Sequence, residues 1–390
     1  AVTWSYGSNP GVNKKNRAKG PVAGHVHETP GTYTVTLTVT NGTEQSTSQT
    51  TITVTDPDTV FSSNTLCVST SGTFSGCPFG ATQLTSNDFD DVINTNAINK
   101  ANHGANFKRI LFRRGETFQA SASGSITSTG PGLVGAYGSG AKPIIDASST
   151  SINTPVISIS SCSTPTVEDW RFLDLSIRST PVTTLLPAFG GGGQSSKITI
   201  LRADIADVRA GLVPPSEQLL NICNSGGNQS KAVDQIAMVD STIQRMNGSS
   251  GNGVYMTGSR VIFLGNLIDN NSGGEHSFRS QYTGKGVISN NTLQNQADGK
   301  VAFTQRSVLF GGSSTFAAGT YSEDIVISEN DMAGSTTTLE LFQIAPQNDS
   351  NDERVRNVIV ERNWLKGNAV TQSMIKITSQ SLITLRNNLK

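Results

Sequence analysis

The sequence lacks the features that mark several large classes of protein. Acidic and basic residues balance at 29 each, so no excess of positive charge indicates binding to nucleic acid or to a membrane surface. No apolar run approaches the roughly 20 residues that a membrane-spanning helix requires. Aromatic residues make up only 6% of the 390 residues and charged residues only 15%, whereas Gly, Ser, Thr and Asn are abundant. This composition predicts a turn-rich, all-β protein with more than one domain and no membrane insertion.

The four cysteines fit no metal-binding spacing. Neither a CxxC pair nor a Cys/His zinc pattern occurs. Cys67 and Cys77 bracket a hairpin-like loop and are predicted to form a local disulfide, and Cys162 and Cys223 could form a second one. The alternative is four buried free thiols. An even number of cysteines without metal spacing favours an oxidising compartment, and therefore a secreted or cell-surface protein.

A repeated pattern runs through the C-terminal part of the chain. An apolar pair, a short gap, an Asn and an apolar residue two positions later recur around Asn266, Asn291, Asn330, Asn363 and Asn387. The spacings are 25, 39, 33 and 24 residues, which indicates a solenoid with a base period near 24–25 and variable insertions. Each unit is a short, β-branched segment that cannot bury its apolar face alone, so neighbouring units must stack.

A coil of this length with an Asn at a turn resembles the right-handed parallel β-helix of the pectate-lyase-like superfamily. The resemblance implies a right-handed parallel β-helix over residues 65–390, in which the asparagine side chains stack in a ladder. Asn suits such a turn because it tolerates the left-handed conformation and bonds nearby backbone groups.

One segment, residues 86–104, predicts a helix. Ser86 or Asn87 would cap its N-terminus, and Gly104 would end it. Its apolar stripe consists of Phe89, Ile93, Ala97 and Ala101. A helix followed by a strand at 109–118 resembles the N-terminal entry of many parallel β-helices, where the helix covers the open end of the first coil.

The first 56 residues form a separate unit. Residues 31–54 alternate Thr with apolar residues around Asn41-Gly42, which predicts a β-hairpin. The unit resembles the PKD domain, an immunoglobulin-like β-sandwich. The matching residues are Trp4, Tyr6 and Gly7 in one motif and His27, Pro30, Gly31, Tyr33 and Val35 in another. The resemblance implies an extracellular, non-catalytic sandwich over residues 1–56, followed by a linker at 57–64.

Residues 273–306 carry the densest cluster of groups able to transfer protons. A shift of one 25-residue period places Glu275 beside Lys300 and Arg279 beside Thr304. Because strand side chains alternate between faces, inward phenylalanines at 278 and 303 would turn Glu275, Arg279 and Lys300 outward on adjacent coils.

Such a cluster suits β-elimination from a uronate polymer. This reaction needs a cation that neutralises the carboxylate and a base that removes the neighbouring proton. The cluster is similar to the Lys/Arg sites of β-helix polysaccharide lyases, and GGEHSFR is similar to the Gly-Gly-Glu-x-x-x-Arg run of the alginate-lyase and chondroitinase-B-like group. The candidate catalytic residues are Lys300, Arg279, Arg306 and His276. The candidate substrate-binding residues are Glu275, Gln281 and Lys285.

Plainer interpretations stay open for the same residues. Glu275 and Lys300 could form a simple surface ion pair. His276 shares the inward face with Phe278 by alternation, which predicts a buried histidine unless Gly273-Gly274 forms a bulge.

We expect a secreted polysaccharide lyase that acts as a monomer on an acidic polysaccharide, and the alternative is a non-catalytic, glycan-binding adhesive rod. No cofactor is predicted with the exception of Ca²⁺. Asp349, Asp352 and Glu353 could bind this ion, but the full EF-hand spacing is missing, which favours an exposed acidic loop.

Overall fold

The computed structural model of the protein describes residues 2–7, 17–97, 107–148, 155–159, 167–179, 187–190, 195–208, 210–212, 234–246, 253–271, 276–296, 301–306, 321–334, 341–345, 354–366, 374–378 and 381–388. These residues form one small antiparallel sheet and three long sheets whose strands run parallel. The expected fold class, a parallel β-helix behind a PKD-like unit, is confirmed. In the described part of the chain, no helix is long and apolar enough to cross a membrane.

The N-terminal sheet, which we call the PKD-like module, is antiparallel with the strand order β2-β1-β3-β4. Its strands are β1 (Val2–Ser5), β2 (Arg17–Lys19), β3 (Gly31–Asn41) and β4 (Glu44–Val54). The predicted hairpin is present, since β3 and β4 pair along their whole length from Gly31↔Val54 to Asn41↔Glu44.

Two short helical segments follow. Helix α1 (Pro57–Phe61) occupies the predicted linker, and it buries Phe61 and places Asp58 Oδ1 2.7 Å from Arg109 Nη1. Helix α2 (Phe89–Asp91) continues as a π-helix (Val92–Ala97). The residue that caps α2 is Asp88, which accepts from the backbone N–H of Asp91, and not Ser86 or Asn87 as the sequence predicted. Asp88 is favoured over Ser86 and Asn87 as the N-cap because its carboxylate also interacts favourably with the positive N-terminal end of the helix.

In the described part of the chain, nine successive coils each contribute one strand to each of the three long sheets, and sheet 1 has three further strands. Sheet 1 contains β5 (Thr65–Ser69), β6 (Thr82–Thr85), β7 (Arg109–Arg113), β10 (Gly132–Tyr137), β13 (Val167–Leu173), β16 (Ser195–Leu201), β19 (Asp234–Val239), β22 (Val261–Leu264), β25 (Gly286–Ser289), β28 (Tyr321–Ser328), β31 (Arg354–Glu361) and β34 (Ser381–Arg386). Sheet 2 contains β8 (Thr117–Gln119), β11 (Ile144–Asp146), β14 (Ser176–Arg178), β17 (Asp204–Ala206), β20 (Thr242–Met246), β23 (Leu267–Asn271), β26 (Thr292–Gln294), β29 (Asp331–Ala333) and β32 (Trp364–Lys366). Sheet 3 contains β9 (Gly124–Ile126), β12 (Ile157–Ile159), β15 (Pro187–Gly190), β18 (Ala210–Leu212), β21 (Val254–Gly258), β24 (Phe278–Thr283), β27 (Phe303–Gln305), β30 (Phe342–Ile344) and β33 (Ile375–Ile377).

The core is a continuous apolar column between the three sheets. Phe278, Phe303 and Phe342 stack with ring centroids 5.0 and 5.1 Å apart, as the 25-residue shift predicts for the first pair. Phe89 of α2 packs against Phe112 in the first coil, with ring centroids 5.3 Å apart. The predicted role of the helix as a cover for the first coil is therefore confirmed.

The asparagine ladder lies at the turn between sheets 1 and 2. The side chain of each Asn accepts hydrogen bonds from the backbone N–H and the amide of the Asn one coil earlier, at 2.9–3.0 Å. Asn266, Asn291, Asn330 and Asn363 are the predicted members. The fifth member is Asn388 and not Asn387, since Asn388 Oδ1 accepts from the N–H of Asn363 at 3.0 Å. The spacing between Asn363 and Asn388 is 25 residues, the same as between Asn266 and Asn291.

The residue before each ladder position adopts the left-handed conformation. Asn290, Glu329, Arg362 and Asn387 have φ between 52° and 58°, and Gly265 has φ 65°. Asn387 therefore occupies the left-handed turn position directly before the ladder, and the sequence pattern wrongly predicted it as the ladder residue. Non-glycine residues are strained in this conformation, and the ladder hydrogen bonds hold them there.

The PKD-like module packs on the outer face of sheet 1. Val22 and Val26 contact an apolar cluster that contains Leu264 and Val287. Gly24 lies so close to Ile262 that an added Cβ would be 2.7 Å from its Cγ1 atom, so only glycine fits without a shift. At the edge of this contact, Arg202 forms ion pairs with Glu28 of the module and with Asp174 of the β-helix. Burial is the largest single influence and raises the pKa of Asp174, but the hydrogen bond from Arg202 and the positive charges of Arg202, Arg114 and Lys142 together outweigh it and keep this pKa below its ordinary value.

Candidate functional site

The outer face of sheet 3 carries a column of polar side chains in five successive coils. The strand registers align Tyr255, Arg279, Thr304, Gln343 and Lys376. Their neighbours along each strand, such as Phe278 and Phe303, point into the core, so strand alternation turns the column outward. We call these five residues the sheet 3 column.

The sheet 3 column is sheltered although it faces away from the core. Tyr255 is 1% exposed, Thr304 0% and Gln343 7%, whereas Arg279 and Lys376 are half-buried. The Arg279 guanidinium carbon lies 5.1 Å from the centre of the Tyr255 ring, and Thr304 Oγ1 donates to Gln343 Oε1 at 3.1 Å. Charge interactions are stronger at a sheltered face than in bulk water, so these cations are well placed to bind an anion.

Arg306 belongs to the same face as Arg279. It follows Thr304 by two residues, and its backbone N–H donates to Ser280 O at 2.7 Å, which continues the parallel pairing of β27 with β24. A strand separation of 4.8 Å and an offset of two residues place the Cα atoms of Arg279 and Arg306 about 8 Å apart. Two arginines at this distance can bind neighbouring carboxylates of one polymer.

A β-bulge interrupts β24 beside these arginines. The pairing partner changes from Met256↔Ser280 to Thr257↔Tyr282, so Gln281 is the extra residue. This bulge is at Gln281, whereas the Gly273-Gly274 pair, where the sequence suggested a bulge, lies outside the described residues. Bulges redirect the side chains around them and often occur next to binding sites.

His276 lies in the interior. It is 6% exposed, and its Nδ1 atom is 2.7 Å from the carbonyl oxygen of Val301. The adjacent Ser277 donates through its N–H and its hydroxyl to Gln296 Oε1, at 2.7 and 2.6 Å. This is the buried histidine that strand alternation predicts. The contact between His276 and Val301 links two successive coils just before β24 and β27.

The structure separates Lys285 from Arg279. Lys285 lies at the turn before β25 and lines a cavity of about 640 Å³ between the PKD-like module and sheet 1, together with Lys197 and Arg260. Its backbone oxygen accepts from the N–H of Val261 at 2.8 Å. Nearness in sequence therefore placed Lys285 at the wrong face of the solenoid, because the turn from sheet 3 to sheet 1 intervenes.

Several predicted residues lie outside the described part of the chain. They are Glu275, Lys300, Asp349, Asp352, Glu353, Cys162 and Cys223. Cys67 and Cys77 are described, and they form the predicted disulfide. Among the described residues, no cluster of three or more His, Cys, Asp or Glu side chains could hold a metal ion.

Three members of the sheet 3 column, Tyr255, Gln343 and Lys376, were missed by sequence reasoning. The signal was available in the spacing of the ladder. Thr304 plus 39 residues is Gln343, and Gln343 plus 33 residues is Lys376, which are the two spacings that separate successive ladder asparagines.

Comparison with known proteins identifies the N-terminal unit. Residues 1–55 match the family profile of the PKD domain. No curated protein matches the sequence. Among solved structures, the chain is similar to PfbA, a surface adhesin of Streptococcus pneumoniae, at 13% identity over 77% of this chain and 84% of that chain, with a TM-score of 0.47. It is also similar to the A-module of the mannuronan C-5 epimerase AlgE6 of Azotobacter vinelandii, at 12% identity over 72% and 90% of the two chains, with a TM-score of 0.28. Both identities and both TM-scores are low, so neither similarity establishes the fold or the function of this chain.

Proposed function

We propose that the protein is an extracellular polysaccharide lyase that binds an acidic polysaccharide on the sheet 3 column. The supporting observation is that Arg279 in β24 and Arg306, directly after β27, lie on neighbouring coils of a sheltered face, beside Tyr255 and the Thr304–Gln343 pair. Two fixed guanidinium groups suit carboxylates that repeat along a chain, because each can form charge-assisted hydrogen bonds.

The proposed chemistry is β-elimination. A base removes the proton next to the uronate carboxylate, the electrons of that C–H bond form a carbon–carbon double bond, and the glycosidic C–O bond breaks. The leaving oxygen then takes up a proton. Arg279 and Arg306 would neutralise the carboxylate as negative charge grows on it. Lys300 is the proposed base, and Glu275 and Gln281 are the proposed partners of sugar hydroxyls.

Extracellular location is supported by the Cys67–Cys77 disulfide, since such bonds persist in oxidising compartments. The monomeric state and the division into residues 1–56, 57–64 and 65–390 are part of the same proposal. Size-exclusion chromatography with light scattering tests the first, and limited proteolysis the second.

A second candidate function is glycan binding without cleavage, as in an adhesive rod. One observation favours it. The sheet 3 column contains no carboxylate and no histidine, and the described His276 is buried, so the described residues of this face supply no general base with an ordinary pKa near neutrality. Binding would then be the whole activity of the face.

The experiment compares the wild type with Arg279→Ala and Lys300→Ala on a panel of uronate polymers. It measures retention in polymer-containing gels and release of ultraviolet-absorbing unsaturated sugars. We expect Arg279→Ala to weaken binding about 10- to 100-fold, since a hydrogen bond to a charged group contributes about 1.5–3 kcal/mol. Lys300→Ala should abolish release and leave retention. Arg178→Ala, an exposed arginine on sheet 2, is the matched control.

The outcomes separate the two functions. Release that Lys300→Ala abolishes supports the lyase. Retention without release, weakened by Arg279→Ala, supports the adhesive function and removes the lyase. Retention that is equal in Arg279→Ala and Arg178→Ala would remove the sheet 3 column as the site.

A further inference from the structure

A second cavity lies between the PKD-like module and the C-terminal coils of sheet 1, on a different face from the sheet 3 column. Its volume is about 950 Å³, within the usual range for ligand sites. Trp4, Arg17 and Lys19 of the module line one wall, and Glu329, Arg362 and Trp364 of the β-helix line the other. We call this cavity the module cleft.

The aromatic residues of the module cleft offer apolar surface in a polar setting. Trp364 is 51% exposed, which is unusual for so large a side chain, and Lys366 Nζ lies 4.9 Å from the centre of its ring. Trp4 pairs with Ala18, so its side chain lies on the opposite face of the module sheet from Arg17 and Lys19, and its indole N–H donates to Gly20 O at 2.9 Å. A flat indole beside hydroxyl and carboxylate groups suits a sugar ring, whose C–H face is apolar and whose edge is polar.

The charges of the module cleft divide into two kinds. On the β-helix wall, Glu329 pairs with Arg362 at 3.0 Å and Asp331 pairs with Lys366 at 2.5 Å, so these groups largely neutralise each other. On the module wall, Arg17 and Lys19 are exposed and have no ion-pair partner among the described residues. Residues two apart on a strand face the same side, so both cations lie on one side of β2. The module wall therefore carries the exposed cations Arg17 and Lys19. The β-helix wall opposite carries the Trp364 ring and the carboxylates of Glu329 and Asp331, which can accept hydrogen bonds from hydroxyl groups.

We propose that the module cleft is a second binding site, for a carboxylate-bearing oligosaccharide. The sugar ring would lie against Trp364, its hydroxyls would donate to Glu329 and Asp331, and its carboxylate would face Arg17 and Lys19. The acidic sugar as ligand class rests in part on the proposed function, whereas the site itself rests on the geometry of the cleft. The cleft has walls from both parts of the chain, so it exists only while the module is docked on sheet 1.

Tryptophan fluorescence separates this site from the sheet 3 column. The chain has three tryptophans, and Trp170 is 0% exposed in the core, where its indole donates to Ser128 O. Trp364 lines the module cleft, whereas Trp4 lines both this cleft and the cavity beside Lys285. A ligand that shields tryptophan from a neutral quencher such as acrylamide, and no longer does so in Trp364→Ala, therefore reports on the module cleft and not on sheet 3.

The test titrates the full chain with uronate oligosaccharides of defined length and with a neutral glucan oligosaccharide. We expect the uronate to protect tryptophan from acrylamide, with affinity at least 10-fold lower for the neutral sugar. The double variant Arg17→Ala/Lys19→Ala should bind about 3- to 10-fold more weakly, because these cations are exposed and each contributes little. Trp364→Ala should bind at least 10-fold more weakly, measured by calorimetry, whereas Phe79→Ala, an exposed aromatic outside the cleft, should bind as the wild type does.

The outcomes distinguish this proposal from the proposed function. Arg279→Ala should leave the fluorescence response intact, and Trp364→Ala should leave product release intact and the fold-loss of polymer retention caused by Arg279→Ala unchanged. Equal protection by the neutral sugar, or no protection by any uronate, would overturn the module cleft as an acidic-sugar site. A response that Arg279→Ala abolishes would overturn it also, because the two sites would then be one.

Discussion

The central residue of the ladder, Asn330, is the most informative position for a test of the solenoid. Its Oδ1 atom accepts from the backbone N–H of Asn291 at 3.0 Å and from the Asn291 amide at 2.9 Å. Its own amide donates to Ile288 O and to Asn363 Oδ1, both at 2.9 Å. Asn330→Ala removes all four bonds at a position that is 1% exposed, where water cannot replace them.

The magnitude follows from the groups that lose their partners. The Asn291 N–H and one hydrogen of its amide are left without an acceptor, and Ile288 O loses a donor. Asn363 Oδ1 retains the bond from the backbone N–H of Asn330 at 3.0 Å. A stranded buried polar group costs about 1–3 kcal/mol, so we expect Asn330→Ala to lower the free energy of unfolding by about 3–5 kcal/mol. The strained turn residue Glu329 would also lose support.

The chain itself suggests a milder variant. Ser241 stands at the ladder position one coil before Asn266, where its hydroxyl accepts from the N–H of Ala203 and donates to Val239 O, both at 3.1 Å. Asn330→Ser can make an equivalent pair of bonds, so we expect about half the loss. Asn290→Gly is the control, because it removes a neighbouring asparagine side chain that accepts no ladder bond and stands at φ 57°, where glycine is unstrained.

Urea unfolding followed by circular dichroism measures these differences from the midpoint and the slope. The order of stability should be wild type and Asn290→Gly, then Asn330→Ser, then Asn330→Ala. A loss below about 1 kcal/mol for Asn330→Ala, with an unchanged slope, would refute the assignment of the ladder as a main support of the turns.

Two further predictions concern the PKD-like module. His27 stacks on Tyr33 with ring centroids 4.2 Å apart, neither ring nitrogen has a hydrogen-bond partner among the described residues, and burial lowers its pKa below the ordinary value. The module should therefore be most stable above about pH 6.5 and lose stability as the pH falls below this value, because the unfolded chain takes up the proton more readily. In thermal unfolding, His27→Phe should flatten this dependence of stability on pH. An unchanged dependence in His27→Phe would exclude His27 as its source. Gly24→Val should separate the module from sheet 1, since even a Cβ would lie 2.7 Å from Ile262 Cγ1. Hydrogen exchange at Val22 and Val26 should rise relative to the exposed control Ser46→Val, and equal exchange would contradict the docking.

The ladder shows how far a repeat in the sequence predicts the structure. Its four buried members, the pairing of Phe278 with Phe303 and the outward position of Arg279 all follow from one spacing and from strand alternation. The error at Asn387 has a local cause. Two adjacent asparagines satisfy the pattern, and only the register of β34 against β31 selects Asn388 as the one that bonds Asn363.

The candidate site was predictable only in part. The same spacing places Gln343 and Lys376 in the column of Arg279, so the rest of this column was available from the sequence once the coils were aligned. The separation of Lys285 was not, since a corner between two sheets leaves no periodic signal.

By itself, the sequence determined that the chain forms stacked coils, which residues of neighbouring coils stand side by side, and that Cys67 pairs with Cys77. These features are local or periodic, so spacing along the chain carries them. Only the tertiary structure decided that the module lies on sheet 1, that Trp4 and Trp364 line one cleft, and that Lys285 belongs to that side of the molecule. The physical reason is that this contact depends on shape, through Gly24 and Ile262, between segments that share no repeat.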